Sequence, residues 1–190
     1  MLSIISQDDR LLNSLKNYYK ENPDSLNIVI PIVTQKTALS LRLLDWLVTN
    51  YSKSNYITYK VNGANFNIYS SYKRELSSYS KKKFDPFCRR KRIFYDHINK
   101  AFHKIDSEDE LRQYNKNPNG FVTTVGQLNF FRWAVENGII KYALENIKDL
   151  EKNMINTTKN KDKVSKRKEL SQNLSKGMTC CKTTIVVKFN

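Results

Sequence analysis

Nine cationic side chains stand within residues 73–92 of this 190-residue chain, as Lys73-Arg74, Lys81-Lys82-Lys83 and Arg89-Arg90-Lys91-Arg92. A guanidinium grips phosphate through a bidentate fork and lysine contributes a mobile point charge, so the chemistry on offer is polyanion binding. Tyr72, Tyr79, Phe84, Phe87 and Phe94 interleave with these cations. Such rings either stack on unpaired bases or, at helical spacing, fill a core. A second cluster, Lys166-Arg167-Lys168, lies within the Lys-, Ser- and Asn-rich stretch Lys159–Lys176. It reads as a tail that follows a phosphate backbone without reading sequence, and Lys163–Lys168 equally suits a nuclear import signal.

The formal charge of +15 exceeds what solubility asks for, and a polyanionic partner would relieve its self-repulsion. An AT-rich genome enriches Lys, Asn, Ile and Tyr through its codons alone, so the bulk number also has a bland reading as solvated surface. Its distribution argues otherwise. Residues 1–72 carry 7 basic and 5 acidic groups and residues 105–158 carry 6 and 8, whereas residues 73–104 carry 11 and 3 and residues 159–190 carry 9 and 2. All of the excess sits in two blocks. Engagement of both would neutralise roughly 6–10 phosphates and cost about 10³–10⁵-fold in affinity between about 50 and 200 mM salt.

Catalytic constellations are missing. His97 and His103 lie six apart, which does not put two ligands on one helical face, and Cys180-Cys181 are adjacent rather than spaced as a metal-binding pair. No Walker loop, GxGxxG or GxSxG occurs, and five glycines leave little material for phosphate cradles. We therefore expect no enzyme, no metal and no cofactor. The odd cysteine count and the absence of a charged, apolar leader lead to an expectation of reduced thiols inside a cell, and no apolar run approaches membrane-spanning length, so no membrane partner is expected.

The elements that must position these residues are read from periodicity. A helix is expected over 7–21, with Ser6 as N-cap and Leu11, Leu12, Leu15, Tyr18 and Tyr19 on one face. Residues 27–34 have the β-branched density of a strand, residues 36–51 a helical pattern, and residues 56–61 and 65–69 form a hairpin about Asn62-Gly63. Residues 72–104 read as a helix, a break at Asp85-Pro86, and a second helix through Phe94, Ile98, Ala101 and Phe102; residues 106–120 read as a polar loop. Thr124 caps a helix over 125–137, Gly138 turns the chain, and another helix runs over 139–155, with Leu128, Phe131, Trp133, Val135, Ile140, Leu144, Ile147 and Leu150 as core candidates. Ala134, Gly138 and Leu144 match helix-turn-helix spacing, but Glu145, Asp149 and Glu151 give the wrong sign for entering a groove.

Three runs carry a resemblance: Ser40–Tyr51 (SLRLLDWLVTNY), Lys83–Arg90 (KFDPFCRR) and Thr123–Ala134 (TTVGQLNFFRWA). Together the chain resembles a small basic protein family of nucleocytoplasmic large DNA viruses, with mimivirus-like and phycodnavirus-like members and no settled function. The resemblance implies a viral protein of an infected host cell, in the cytoplasmic virus factory or the nucleus, with the virion as a further destination. It carries no catalytic residues across. Asp85 is expected either to pair with Arg89 or Arg90, turning the other outward, or to make a simple turn.

These readings converge on one α+β domain over 1–156, mostly helical with a small antiparallel sheet from segments 27–34 and 56–69. A basic arm over 157–182 and a docking strand over 183–190 complete the chain. The expected function is non-catalytic association with nucleic acid, DNA before RNA, in genome packaging or viral gene expression. The expected contacts are Lys73, Arg74, Lys81, Lys82, Lys83, Arg89, Arg90, Lys91, Arg92, Lys166, Arg167 and Lys168. The alternative is a virion structural or adaptor protein that binds an acidic viral protein through the same blocks.

Overall fold

The computed structural model describes residues 6–164, and Met1–Met154 forms one compact unit with Ile155–Asn190 as the other. The fold is α+β, mostly helical, with two small antiparallel sheets. Helix α1 (Gln7–Glu21) begins where the Ser6 hydroxyl accepts the Asp9 N–H, and it buries Leu11, Leu12, Leu15 and Tyr19 as expected.

Helix α2 (Pro23–Val33) replaces the strand expected at 27–34. Pro23 starts it where a missing N–H costs nothing, and Leu26, Val29 and Ile32 fall three apart on one buried face. That burial outweighs both the β preference of Ile and Val and the i→i−4 hydrogen bond that Pro31 removes inside the helix. Helix α3 (Leu41–Trp46) starts at the Ser40 cap, five residues later than the pattern suggested, and continues as a π-helical turn Leu47–Tyr51 and α4 (Ser52–Asn55). The Thr49 hydroxyl donates to Asp45 O and Ser52 to Val48 O, satisfying carbonyls where the ladder is irregular. Strands β1 (Thr58–Val61) and β2 (Ala64–Asn67) pair as expected, with Asn62 and Gly63 both at positive φ in the turn. Helix α5 (Ile68–Tyr79) follows, capped by Asn67.

The second helix expected before residue 104 is instead a hairpin, β3 (Arg92–Asp96) and β4 (Ala101–Lys104), and the expected loop 106–120 contains α6 (Glu108–Lys116). With β5 (Gly120–Thr124), these strands form the order β4-β3-β5, so the second sheet arises here and residues 27–34 join neither sheet. The helical spacing was misleading because Asp96 folds the chain back. Its carboxylate accepts the N–H groups of Ile98 and Asn99, leaving Ile98 69% exposed, while Ile93, Phe94 and Tyr95 are buried in succession. Both sheet faces are covered: Ile93 and Tyr95 join the α1 side chains, and the Phe94 ring stacks on Tyr114 of α6 at 4.4 Å.

Helices α7 (Val125–Glu136), α8 (Ile139–Glu145) and α9 (Ile147–Val164) end the described residues. The single helix expected over 139–155 breaks at Asn146, and α9 runs past Asn156, where the apolar pattern stops. The remainder of the expected arm and the strand at 183–190 lie outside the described residues. Ala134 is buried and Gly138 has φ +68°, but Leu144 is 48% exposed, so the core position of a helix-turn-helix is not filled. Helix α7 is buried on nearly every face. Phe130, Phe131, Trp133 and Ala134 serve a core shared with α2, α3 and α5, while Val125 and Leu128 serve the core under α1 and β3.

Gly120 opens β5 where a Cβ would stand 2.1 Å from Tyr95 O and 2.3 Å from the Phe94 ring. Replacing Gly120 by Ala should destabilise the fold by roughly 1–3 kcal/mol or more, read as a lower urea midpoint with unchanged slope.

Candidate nucleic-acid interface

Residues 80–91 join α5 to β3 without regular secondary structure, so their backbone groups have no ladder to satisfy them. Phe84 plugs this loop into the core, its ring 5.4 Å from Trp133, 5.5 Å from Phe130 and 5.9 Å from Tyr72 between centroids. The first turns of α7 then supply donors one by one. Asn129 Nδ2 donates to Lys83 O at 3.0 Å, Gln127 Nε2 to Pro86 O at 2.9 Å, and Thr124 Oγ1 to Cys88 O at 3.0 Å. Thr123 Oγ1 donates to Gln127 Oε1 at 2.8 Å and fixes which way that amide points. Gly126 permits the close approach, since a Cβ there would lie 3.0 Å from Cys88 Cβ and 3.1 Å from its sulfur.

The loop also closes on itself. The Cys88 thiol donates to Lys82 O at 3.3 Å, which brings the lysine run beside the arginine run six residues later. Asp85 does not pair with either arginine; its Oδ1 accepts the Phe87 N–H at 2.8 Å, the simple turn.

Electrostatics sorts the expected contact residues. Lys83 pairs with Asp8 at 2.9 Å, Lys91 with the same carboxylate, and Arg92 with Glu108 at 3.3 Å; outside that set, Lys104 pairs with Asp9 at 2.5 Å. The Lys104 ammonium and the Ser6 hydroxyl hold the Asp9 carboxyl below its usual range. Among the described residues, Lys81, Lys82, Arg89 and Arg90 are exposed and in no ion pair. Lys73 and Arg74 are likewise exposed and unpaired, but they lie on α5 and no hydrogen bond ties them to the loop. Lys166, Arg167 and Lys168 lie outside the described residues. Of the interleaved aromatics, Tyr72, Phe84 and Phe94 are buried, Tyr79 is half-buried against Phe84, and Phe87 is 48% exposed.

Half-buried Asp45 sits near this loop, its carboxyl pushed above the ordinary range by desolvation and then by the Asp85 charge, with Lys81 opposing. Burial, with the same two carboxylates, raises the Tyr72 hydroxyl to about 12. His97 and His103 lie in the β3–β4 hairpin region against Tyr95 and Tyr114, and among the described residues no three His, Cys, Asp or Glu side chains converge on a metal position. No helix among the described residues is long and apolar enough to cross a membrane.

The three runs 40–51, 83–90 and 123–134 thus meet around one loop. A model for a family of unknown function, DUF7197, matches residues 4–181. The chain belongs to that family. It is also similar to "Uncharacterized protein L507" of Acanthamoeba polyphaga mimivirus, 36% identical over 170 residues, which cover 87% of this chain and 60% of that protein. The chain therefore spans about 60% of the length of this relative. No solved structure matches the chain. A giant-virus relative agrees with the viral origin expected from the sequence and with expression in an infected host cell.

Sequence reasoning missed Thr124, Gln127 and Asn129 as the supports of the loop. The available signal was polarity out of place: Gln127 and Asn129 interrupt the apolar run Val125–Phe131 of a helix buried on nearly every face. Gln127→Ala should leave the buried Pro86 carbonyl without its donor, costing about 1–3 kcal/mol and speeding amide hydrogen exchange through residues 83–90. Asp45→Asn should raise the melting temperature at neutral pH. Because the folded-state pKa of Asp45 lies above the ordinary 3.8, its ionisation opposes folding at higher pH, and the advantage of Asn should vanish as pH falls below that value.

Proposed function

We propose that this protein is a non-catalytic, nucleic-acid-associated viral protein, acting in genome packaging or viral gene expression in the virus factory or nucleus of the infected cell, with DNA preferred over RNA. One observation carries the reading: four exposed, unpaired cations, Lys81, Lys82, Arg89 and Arg90, are gathered on a loop whose backbone is tied down from beneath. Like charges gathered on one loop repel, and a fold that keeps them so gains when a phosphate chain takes up the field. Two of the four are arginines, whose fork suits phosphate oxygens. The neighbouring cations Lys83, Lys91 and Arg92 are compensated within the protein, which leaves these four as the loop's unpaired cations.

Salt titration of DNA binding tests this. Neutralising on the order of four phosphates gives a slope of log affinity against log salt of about −2.8 to −3.6, a loss of roughly 50- to 150-fold between about 50 and 200 mM. The double substitution Arg89→Ala/Arg90→Ala should flatten that slope by about 1.4–1.8. Binding that ignores salt, or a double variant indistinguishable from wild type, would count against nucleic acid and favour an adaptor that holds an acidic protein.

A further inference from the structure

We infer that the loop recognises single-stranded nucleic acid, with one unpaired base stacked on Phe87; this rests on the nucleic-acid reading above and narrows it to a ligand class. Of the five aromatics that interleave with the first basic block, Phe87 is the one with half its surface in water. Its neighbours on both sides are anchored, Pro86 through its carbonyl to Gln127 and Cys88 through its carbonyl to Thr124, while its own N–H is held by Asp85. An exposed phenyl ring on a fixed backbone is a preorganised platform, because the entropy of ordering it is spent in folding rather than in binding.

The cations sit where a strand's backbone would run past that platform. Arg89 and Arg90 follow Phe87 within three residues, a reach of at most about 11 Å, and the Cys88 thiol draws Lys82 to the same place. A positively charged track beside an aromatic face is the arrangement that binds single strands with little sequence preference, since every base offers a π-face. Duplex DNA offers no such face, its bases being stacked on each other. Nor does the loop suit a major groove, being neither a helix nor a β-ribbon, and α8 and α9 carry Glu145, Asp149 and Glu151, the wrong sign for entering one.

The test is fluorescence anisotropy of the full chain against labelled dT and rU oligomers of about 20 nucleotides, a duplex of about 20 base pairs, and polyglutamate, at about 0.1 M salt. Single strands should bind more tightly than duplex. Phe87→Ala should weaken single-strand binding by roughly 5- to 150-fold, the effect of losing one base–aromatic stack, and leave duplex binding unchanged. Phe87→Trp should retain it, and both variants should melt as wild type does because the ring lies largely outside the core. The dT and rU arms separate DNA from RNA. A tighter duplex complex, or equal losses on duplex and single strand in Phe87→Ala, would overturn this inference while leaving the broader reading standing. Polyglutamate bound in place of every nucleic acid would overturn both.

Discussion

Three loop carbonyls, those of Lys83, Pro86 and Cys88, accept hydrogen bonds from Asn129, Gln127 and Thr124, all at the start of α7. A buried carbonyl without a donor costs about 1–3 kcal/mol, so this small set of side chains decides whether an irregular segment can lie against the core at all. The arrangement fixes more than the loop. Phe84 enters the core shared by α2, α3 and α5, and eight residues later β3 delivers Ile93 and Tyr95 to the core under α1. Helix α7 feeds both clusters, so the loop that crosses its first turn holds the two halves of the unit in register.

Charge is arranged around the same crossing. The first turn of α1 presents Asp8 and Asp9, which the positive end of that helix favours, and they take up Lys83, Lys91 and Lys104. These pairs are partly exposed and individually modest in energy. Their consequence is selective: Lys83 and Lys91 of the loop are compensated, while Lys81, Lys82, Arg89 and Arg90 are in no ion pair. Partly buried Asp45 also feels the loop: desolvation and the Asp85 charge raise its carboxyl, and Lys81 opposes them.

Local chemistry made part of this legible. The Ser6 and Thr124 caps, the Asn62-Gly63 turn and the Gly138 turn were readable because capping bonds and positive φ depend on a few adjacent residues. Segments 27–34 and 92–104 were misread for one shared reason. Their residues suit either element, and the choice fell to the partner surface: a three-residue burial period made α2 a helix, and an Asx turn at Asp96 made the second segment a hairpin covered on both faces. Residues 108–116 contain no fully buried side chain, so their composition looked like loop although Ser107 caps a helix.

By itself the sequence determined the α+β class, the principal caps and turns, the concentration of positive charge in residues 73–104 and the absence of a local catalytic motif, since each depends on composition or on neighbours a few residues apart. Tertiary structure alone decided which cations remain free and which aromatic stays in water. Lys83 and Asp8 lie 75 positions apart, and Asn129 reaches the Lys83 carbonyl across 46. No local pattern encodes an ion pair or a hydrogen bond between such distant residues, because each exists only once packing has brought two desolvated surfaces together.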